Sequence, residues 1–300
     1  MKRWIKRTGI AVFALVALAA ATVAAAAWYG EHKAQRHIEV KLQMPAPRTD
    51  AAGIERGRYL FMSRGCTECH GVDGSGHDVI NDGGLLVHAP NITPAPGSVV
   101  ASYRPDDWER SIRHGVAPSG RPLLIMPSED YNRLTNDDLA ALVGFLQRMP
   151  AATGGSAVIR LPLPLRALYG VGVIRDAAEK IDHTLPPSAP VPEAVTAAHG
   201  GYVANACIGC HGAALSGGRI PGAPPEWPAA ANLTPGAGSV LPGYPDAAAF
   251  VAMMRSGKRP DGSPVSAVMP FAALKQMNDT DLQALYLHLK SLPPRAAGSR

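Results

Sequence analysis

The most sustained pattern in the chain is apolar and sits at its amino end. No charged residue lies between Arg7 and Glu31, and residues 10–29 are twenty mostly apolar positions. As a helix this run is about 30 Å long, the thickness of a bilayer's hydrocarbon core. Lys2, Arg3, Lys6 and Arg7 precede it, Trp4 marks one end, and Trp28 and Tyr29 mark the other. Basic residues stay on the cytoplasmic side and aromatic rings collect at the interfaces. Residues 1–30 therefore read as an inner-membrane anchor with its start in the cytoplasm and the body in the periplasm. A cleaved secretory signal is the alternative, because half of the run is Ala and Ala25, Ala26 and Ala27 fit a small-x-small cleavage rule. A retained anchor is favoured, since a signal's apolar region spans only about 7–15 residues.

Beyond residue 50 the spacing of apolar positions is helical, and no alternating run competes with it. Thr135 can cap a helix with Asp138 three positions later, while Leu139, Leu142, Val143 and Leu146 share one face and Pro150 ends it. The same parts recur as Asn278, Asp281, a face of Leu282, Leu285, Tyr286 and Leu289, and a stop at Pro293. Shorter helices are predicted over 51–62 and 196–204, with Gly57 and Gly200 open to a closely packed partner helix. The fold class predicted is all-α.

Length points to two domains, since 300 residues is about twice a usual domain. A composition 46% apolar and 18% charged can bury real cores. Setting aside the four cations at the amino end, 25 basic residues face 24 acidic ones, so the net charge of +5 is a tail effect and no nucleic-acid surface follows. Abundant Gly and Pro predict many turns and short helices.

The four cysteines make two copies of one motif, Cys66-Thr67-Glu68-Cys69-His70 and Cys207-Ile208-Gly209-Cys210-His211. C-x-x-C-H is the attachment signal of haem c. Two thiols three positions apart on one helical turn can add to the two haem vinyl groups, and the adjacent imidazole then points at the iron. A disulfide scaffold would have too few cysteines for an exported chain of this size. A thioredoxin-like pair expects one C-x-x-C near a βαβ pattern, and a four-cysteine zinc site gives the two histidines no role.

The motif belongs to a longer duplication. At an offset of 141, Cys66 maps on Cys207, Asn91-Ile92-Thr93-Pro94 on Asn232-Leu233-Thr234-Pro235, and Tyr103 on Tyr244. Gly115 maps on Gly257 at 142, and Met126-Pro127 on Met269-Pro270 at 143. The copies cover residues 50–150 and 194–295. Met126 and Met269, each before Pro and ahead of the last helix, are the candidate sixth ligands opposite His70 and His211. Thioether ligation raises the reduction potential and closes the iron, which suits electron transfer. Met62, Met149, Met253, Met254 and Met277 have no Met counterpart at the repeat offset and read as core filler. His77, His88, His114, His199 and His288 lack a His counterpart and read as surface or loop positions; His32 and His37 lie beside the anchor, and His183 in the connector is unassigned. No Ser-His-Asp order, zinc H-E-x-x-H or phosphate-cradling loop is present. The connector, residues 151–193, carries six prolines, so its ends are expected to be extended. Residues 163–181 are expected to form one short helix between the domains, fixing the distance from haem to haem.

The residues 66–71, 91–94, 108–115, 120–127 and 134–150, with their second-copy partners, resemble class I cytochrome c domains. The chain is similar to membrane-tethered diheme cytochromes c and to the haem subunits of periplasmic alcohol, aldehyde and related dehydrogenases. The resemblance implies two tandem cytochrome c domains after an N-terminal transmembrane helix. Each domain would carry one covalent haem c, held by Cys66 and Cys69 or by Cys207 and Cys210, with iron ligands His70 and Met126 or His211 and Met269. It further implies an electron carrier without catalytic residues of its own. The expected donor is a dehydrogenase or quinol-linked complex, and the expected acceptor an oxidase or soluble cytochrome. Many such dehydrogenase subunits carry three haem domains, whereas this chain has two motifs. The competing reading is a diheme enzyme, a peroxidase or a thiosulfate-oxidising cytochrome, with one exchangeable haem site.

Overall fold

The computed structural model describes residues 2–224 and 226–299. Helix α1, Lys2–Ala34, contains the apolar run. It is exposed from Arg3 to Ala25 and first gains cover at Ala26 and Ala27. The first half of the body contains α2 (Ala51–Ser63), α3 (Cys66–His70), strands β1 (Asp78–Asp82) and β2 (Leu85–His88), α4 (Pro105–His114) and α5 (Asn136–Leu146). The connector holds strand β3 (Val158–Arg160) and helices α6 (Leu163–Gly170) and α7 (Ala177–Lys180). The second half contains α8 (Ala197–Val203), α9 (Ile208–His211), α10 (Ala247–Ser256), α11 (Phe271–Leu274) and α12 (Asp279–Ser291).

Two apolar clusters form the core. Leu60, Phe61, Trp108, Ile112, Leu139, Leu142, Val143 and Leu146 pack together in the first half. Val203, Phe250, Met253, Met254, Leu282, Leu285, Tyr286 and Leu289 do so in the second. The predicted faces of α5 and α12 are therefore the buried ones. Met149, Met253, Met254 and Met277 are buried, as filler should be, and Met62 lies against the first cluster. Gly57 and Gly200 have the predicted use: a Cβ on either would collide with a helix carbonyl, of Ala141 in α5 or Ala284 in α12.

Four features depart from expectation. The chain is mostly helical but not purely so, since β2 pairs antiparallel with β1 and with β3. These strands of 5, 4 and 3 residues are too short for alternation to register. The Gly83-Gly84 turn between β1 and β2, with φ of 56° and 84°, was the legible hairpin signal. Secondly, Thr135 and Asn278 do cap their helices, through bonds of 3.1 and 2.7 Å from the amides of Asp138 and Asp281. The carboxylates of those two aspartates turn elsewhere. Thirdly, His114 and His199 are buried rather than on the surface: His114 Nδ1 lies 3.0 Å from His183 Nδ1, and His199 is 1% exposed.

Finally, the connector forms two short helices, and α6 packs on α1 rather than between the halves. A Cβ on Gly30 would strike the carbonyl of Arg166, and one on Gly170 would strike that of Ala26. Small residues on both helices let the backbones touch. Below this contact Lys33 Nζ donates to the Tyr169 carbonyl at 3.0 Å, and Arg36 forks onto buried Asp176 at 2.8 and 2.9 Å. Tyr169 Oη donates to the same carboxylate at 2.6 Å. Burial pushes the Asp176 pKa up, but the Arg36 and Tyr169 bonds outweigh it and hold the carboxyl below its usual range.

Gly57→Ala should destabilise the folded protein by about 1–3 kcal/mol, the cost typical of overpacking. Chemical denaturation in detergent, followed by helix content, reads this directly; an unchanged midpoint would show that α2 and α5 have room to separate.

Candidate functional site

The first C-x-x-C-H motif is one helical turn and the second is split between a 3-10 turn ending at Cys207 and α9, and each is ended by a glycine in the left-handed half of the map: Gly71 at φ 73° and Gly212 at φ 78°. Only glycine adopts that backbone without strain. The turn closes by Gly71 N–H donating to the Thr67 carbonyl at 3.0 Å and Gly212 N–H to that of Ile208 at 2.9 Å. The chain then folds back, with Gly76 N–H on the His70 carbonyl and Gly217 N–H on that of His211, both at 2.9 Å.

The imidazoles are oriented in the same way. His70 Nδ1 lies 3.0 Å from the Pro90 carbonyl oxygen, and His211 Nδ1 lies 2.9 Å from that of Ala231. A carbonyl can only accept, so Nδ1 carries the proton and Nε2 keeps its lone pair, the arrangement of a metal-ligating histidine. Burial lowers the His70 pKa, which favours the neutral ring.

Those carbonyls belong to the residues just ahead of the Asn-x-Thr-Pro repeats. Asn91 Oδ1 accepts from both the amide and the hydroxyl of Thr93 at 2.8 Å, and Asn232 Oδ1 accepts the same pair from Thr234 at 2.9 Å. Asn91 Nδ2 donates to the Ala152 carbonyl at 2.7 Å, and Asn232 Nδ2 to that of Arg295 at 2.8 Å. The repeat whose role the sequence left open is thus the brace of the loop that aims the histidine.

Cys66, Ile92 and Met126 all border the first apolar cluster, and Cys207, Leu233 and Met269 border the second. Each methionine follows a hairpin-like loop closed by matching bonds: Leu123 N–H to Gly115 O at 2.7 Å, and Val265 N–H to Gly257 O at 2.8 Å. Burial pushes the thiols of Cys66 and Cys207 up to about 12, so both are protonated and poorly suited to thiolate redox or zinc chemistry. Two cysteines three positions apart, an imidazole with its Nε2 lone pair free and a thioether against the same apolar cluster form a donor set that fits a covalently attached haem.

The two halves lock together through Arg56, Tyr59 and Tyr202, which sequence reasoning did not single out, and through Asp138, Asp281 and His199, which it gave other roles. Tyr59 Oη in α2 donates across to Asp281 in α12 at 2.6 Å, and Tyr202 Oη in α8 donates back to Asp138 in α5, also at 2.6 Å. Within each half the same carboxylate holds a helix neighbour: Arg56 on Asp138 at 2.7 Å, and His199 on Asp281 at 2.7 Å. Tyr59, Arg56 and Asp138 lie 143 positions before Tyr202, His199 and Asp281, so this contact is a pseudo-twofold pair. The signal was present in the repeat, but Arg and His at equivalent positions hid it. Arg64 adds a buried bond of 2.6 Å to Asp281. Asp130, four residues after Met126, accepts from the amide of Gly209 inside the second haem motif at 2.7 Å, and burial pushes its carboxyl up to about 8.

With this geometry in view, the chain can be set beside the known proteins it is similar to. Residues 52–146 match the family model described as Cytochrome C oxidase, cbb3-type, subunit III. The chain is 30% identical over 132 residues to the fructose dehydrogenase cytochrome subunit of Gluconobacter japonicus, covering 42% of this chain and 27% of that one. It is 28% identical over 131 residues to the gluconate 2-dehydrogenase cytochrome c subunit of Pantoea cypripedii, 41% of this chain and 29% of that one. It is also 28% identical over 179 residues to the cytochrome c subunit of the quinone alcohol dehydrogenase of Gluconacetobacter polyoxogenes, 55% and 37%. Residues 52–146 are thus similar to a cytochrome family, and these relatives are named as cytochrome subunits of dehydrogenases. The matches span roughly a quarter to two fifths of these relatives' own length.

The Asp281 carboxyl sits at about 2 against a usual 3.8. Burial alone would raise it, and Arg64, Tyr59 and His199 overcome that. A depressed folded-state value means that this stability is complete above the unfolded-state pKa and is lost as pH falls toward the folded-state one. Asp281→Asn should therefore cost several kcal/mol at pH 7, of the order of 3–5 for breaking a buried pair. It should also flatten the acid limb of stability between about pH 4 and about pH 2. Thermal unfolding across pH checks both effects.

Proposed function

We propose that the chain is a membrane-anchored diheme cytochrome c that carries electrons in the periplasm, with one haem in each half. The observation that carries this reading is the second-half copy of the His70 arrangement: the same glycine-ended turn, the same Nδ1-to-carbonyl bond and the same Asn-x-Thr brace around His211. Residues 52–146 match a cytochrome family, and the second half repeats the same hydrogen-bonded parts residue for residue.

In each half the cysteines (Cys66 and Cys69, Cys207 and Cys210) would fasten a haem covalently. His70 and His211 would supply a nitrogen ligand to it, and Met126 and Met269 a sulfur ligand. The group contributes one-electron chemistry; the chain contributes axial ligands, burial and a fixed ring orientation. The proton stays on Nδ1, donated to the carbonyl oxygen, so no proton needs to move at the histidine when an electron passes. The reciprocal tyrosine–aspartate contact holds the halves at one distance, which favours passage between them over two independent carriers. Three relatives are named as cytochrome subunits of dehydrogenases, which supports a dehydrogenase as donor and a role without independent catalysis. An oxidase or a soluble cytochrome is the proposed acceptor, and α1 ties the protein to the inner membrane.

Met126→Ala should abolish the thioether-to-ferric-iron charge-transfer band of one haem, lower one of the two potentials and leave the other in place, because thioether ligation raises the potential. Met269→Ala should do the same to the other haem. Redox titration with absorbance separates the two. Rapid cyanide binding by one haem of the unmodified ferric protein would contradict closed His/Met coordination and favour a diheme enzyme.

A further inference from the structure

Where the connector meets α1, it exposes an apolar tip that the electron-transfer reading does not use. Helix α6 runs antiparallel to the outer end of α1: the carbonyl of Arg166 faces Gly30, and Gly170 at the end of α6 packs on the Ala26 carbonyl. The carboxy-terminal end of α6 is thus its membrane-side end. Ala26 lies about 6 Å along the helix axis from Gly30, inside the apolar run and below Trp28 and Tyr29. The chain continues past that level into the turn Val171-Gly172-Val173-Ile174, where Val171 is 64% and Val173 57% exposed. Gly172, at φ 79°, lets the chain reverse.

We propose that this turn enters the headgroup–acyl boundary of the same bilayer that α1 spans, as a second and shallow membrane contact. Its backbone is prepared for an apolar medium, because the amides of Val171, Gly172, Val173 and Ile174 all donate back into α6, to Ala167, Tyr169 and twice to Leu168. Amides bonded internally cost little to remove from water. Charge is arranged to suit a headgroup layer, with Arg166 one turn before the tip and exposed Arg175 directly after it. The buried Arg36–Asp176–Tyr169 network fastens the tip's base to the outer end of α1, so the two membrane contacts move as one piece. The height and tilt of the periplasmic body would then be set at two points rather than by a single swivelling helix.

This inference rests on α1 being a membrane span, and the experiment separates the two. The full-length holoprotein is placed in vesicles of phosphatidylethanolamine and phosphatidylglycerol. Nitroxides are introduced singly at Val16, Val72, Val171 and Val173 on a ketone-bearing amino acid, leaving the native cysteines untouched. Relaxation by oxygen, which concentrates in lipid, is compared with relaxation by a water-soluble nickel chelate. The expected result is an oxygen-to-nickel ratio several-fold higher at Val171 and Val173 than at Val72, and on the same side as Val16. Ratios at Val171 and Val173 equal to that at Val72, with Val16 still in lipid, would overturn the tip and leave the anchor standing. Protection of both positions from both agents would overturn it in favour of a protein covering. An aqueous ratio at Val16 would remove the anchor and this inference with it.

Discussion

A single hydrogen bond in each half, from a histidine Nδ1 to a main-chain carbonyl, governs how the rest of the local structure is built. Without it an imidazole beside two cysteines could rotate or take its other tautomer; with it, Nε2 is the only nitrogen left with a lone pair. Keeping the carbonyls of Pro90 and Ala231 in place requires a rigid loop. That loop is braced by Asn91 and Thr93, or Asn232 and Thr234, and tied in turn to the chain beyond the last helix at Ala152 or Arg295. The orientation of each histidine therefore depends on residues some twenty positions on and others more than sixty beyond those. This explains why the Asn-x-Thr-Pro segment was duplicated along with the cysteines.

A second constraint acts between the halves. Asp138 and Asp281 begin the last helix of each copy, and each takes a tyrosine from the other copy and a basic partner from its own. A carboxylate buried among several donors is costly to leave unpaired, so the contact resists opening. Asp130 extends it to the second haem motif through Gly209. The connector adds to this contact, since its Glu193 accepts from Arg56 of the first half at 3.1 Å and from Asn278 of the second at 2.7 Å. Its strand β3 adds to the β1–β2 hairpin, its helix α6 packs on α1, and Ile174 beyond α6 lies against Gly222 of the second half.

How much of this was legible follows from where the information sits. Periodicity and repeat alignment predicted α2, α5, α8 and α12, the close approaches at Gly57 and Gly200, and the faces that form the cores, because these are local patterns. The strands were missed because they are shorter than any alternation test, although Gly83-Gly84 announced the turn. Asp138 and Asp281 were assigned to capping, which is what their spacing from Thr135 and Asn278 indicates; only the packed structure shows their carboxylates reaching across the interface. His199 looked superfluous because its equivalent is Arg56. Identity differed while the role, a cation or donor on the same carboxylate, was kept. The cysteines, histidines and methionines are candidates from spacing and repeat alone, and the packed structure adds the Nδ1-to-carbonyl bonds that orient the two histidines.

The account stands on haem being attached in both halves, and the direct measurement is the number of haems per polypeptide. Intact mass of the matured protein, together with haem absorbance per mole of chain, should give two additions, and Cys207→Ser/Cys210→Ser should remove one of them while Cys66 and Cys69 retain theirs. A single haem in the unmodified chain, or an unaltered count in that variant, would contradict it.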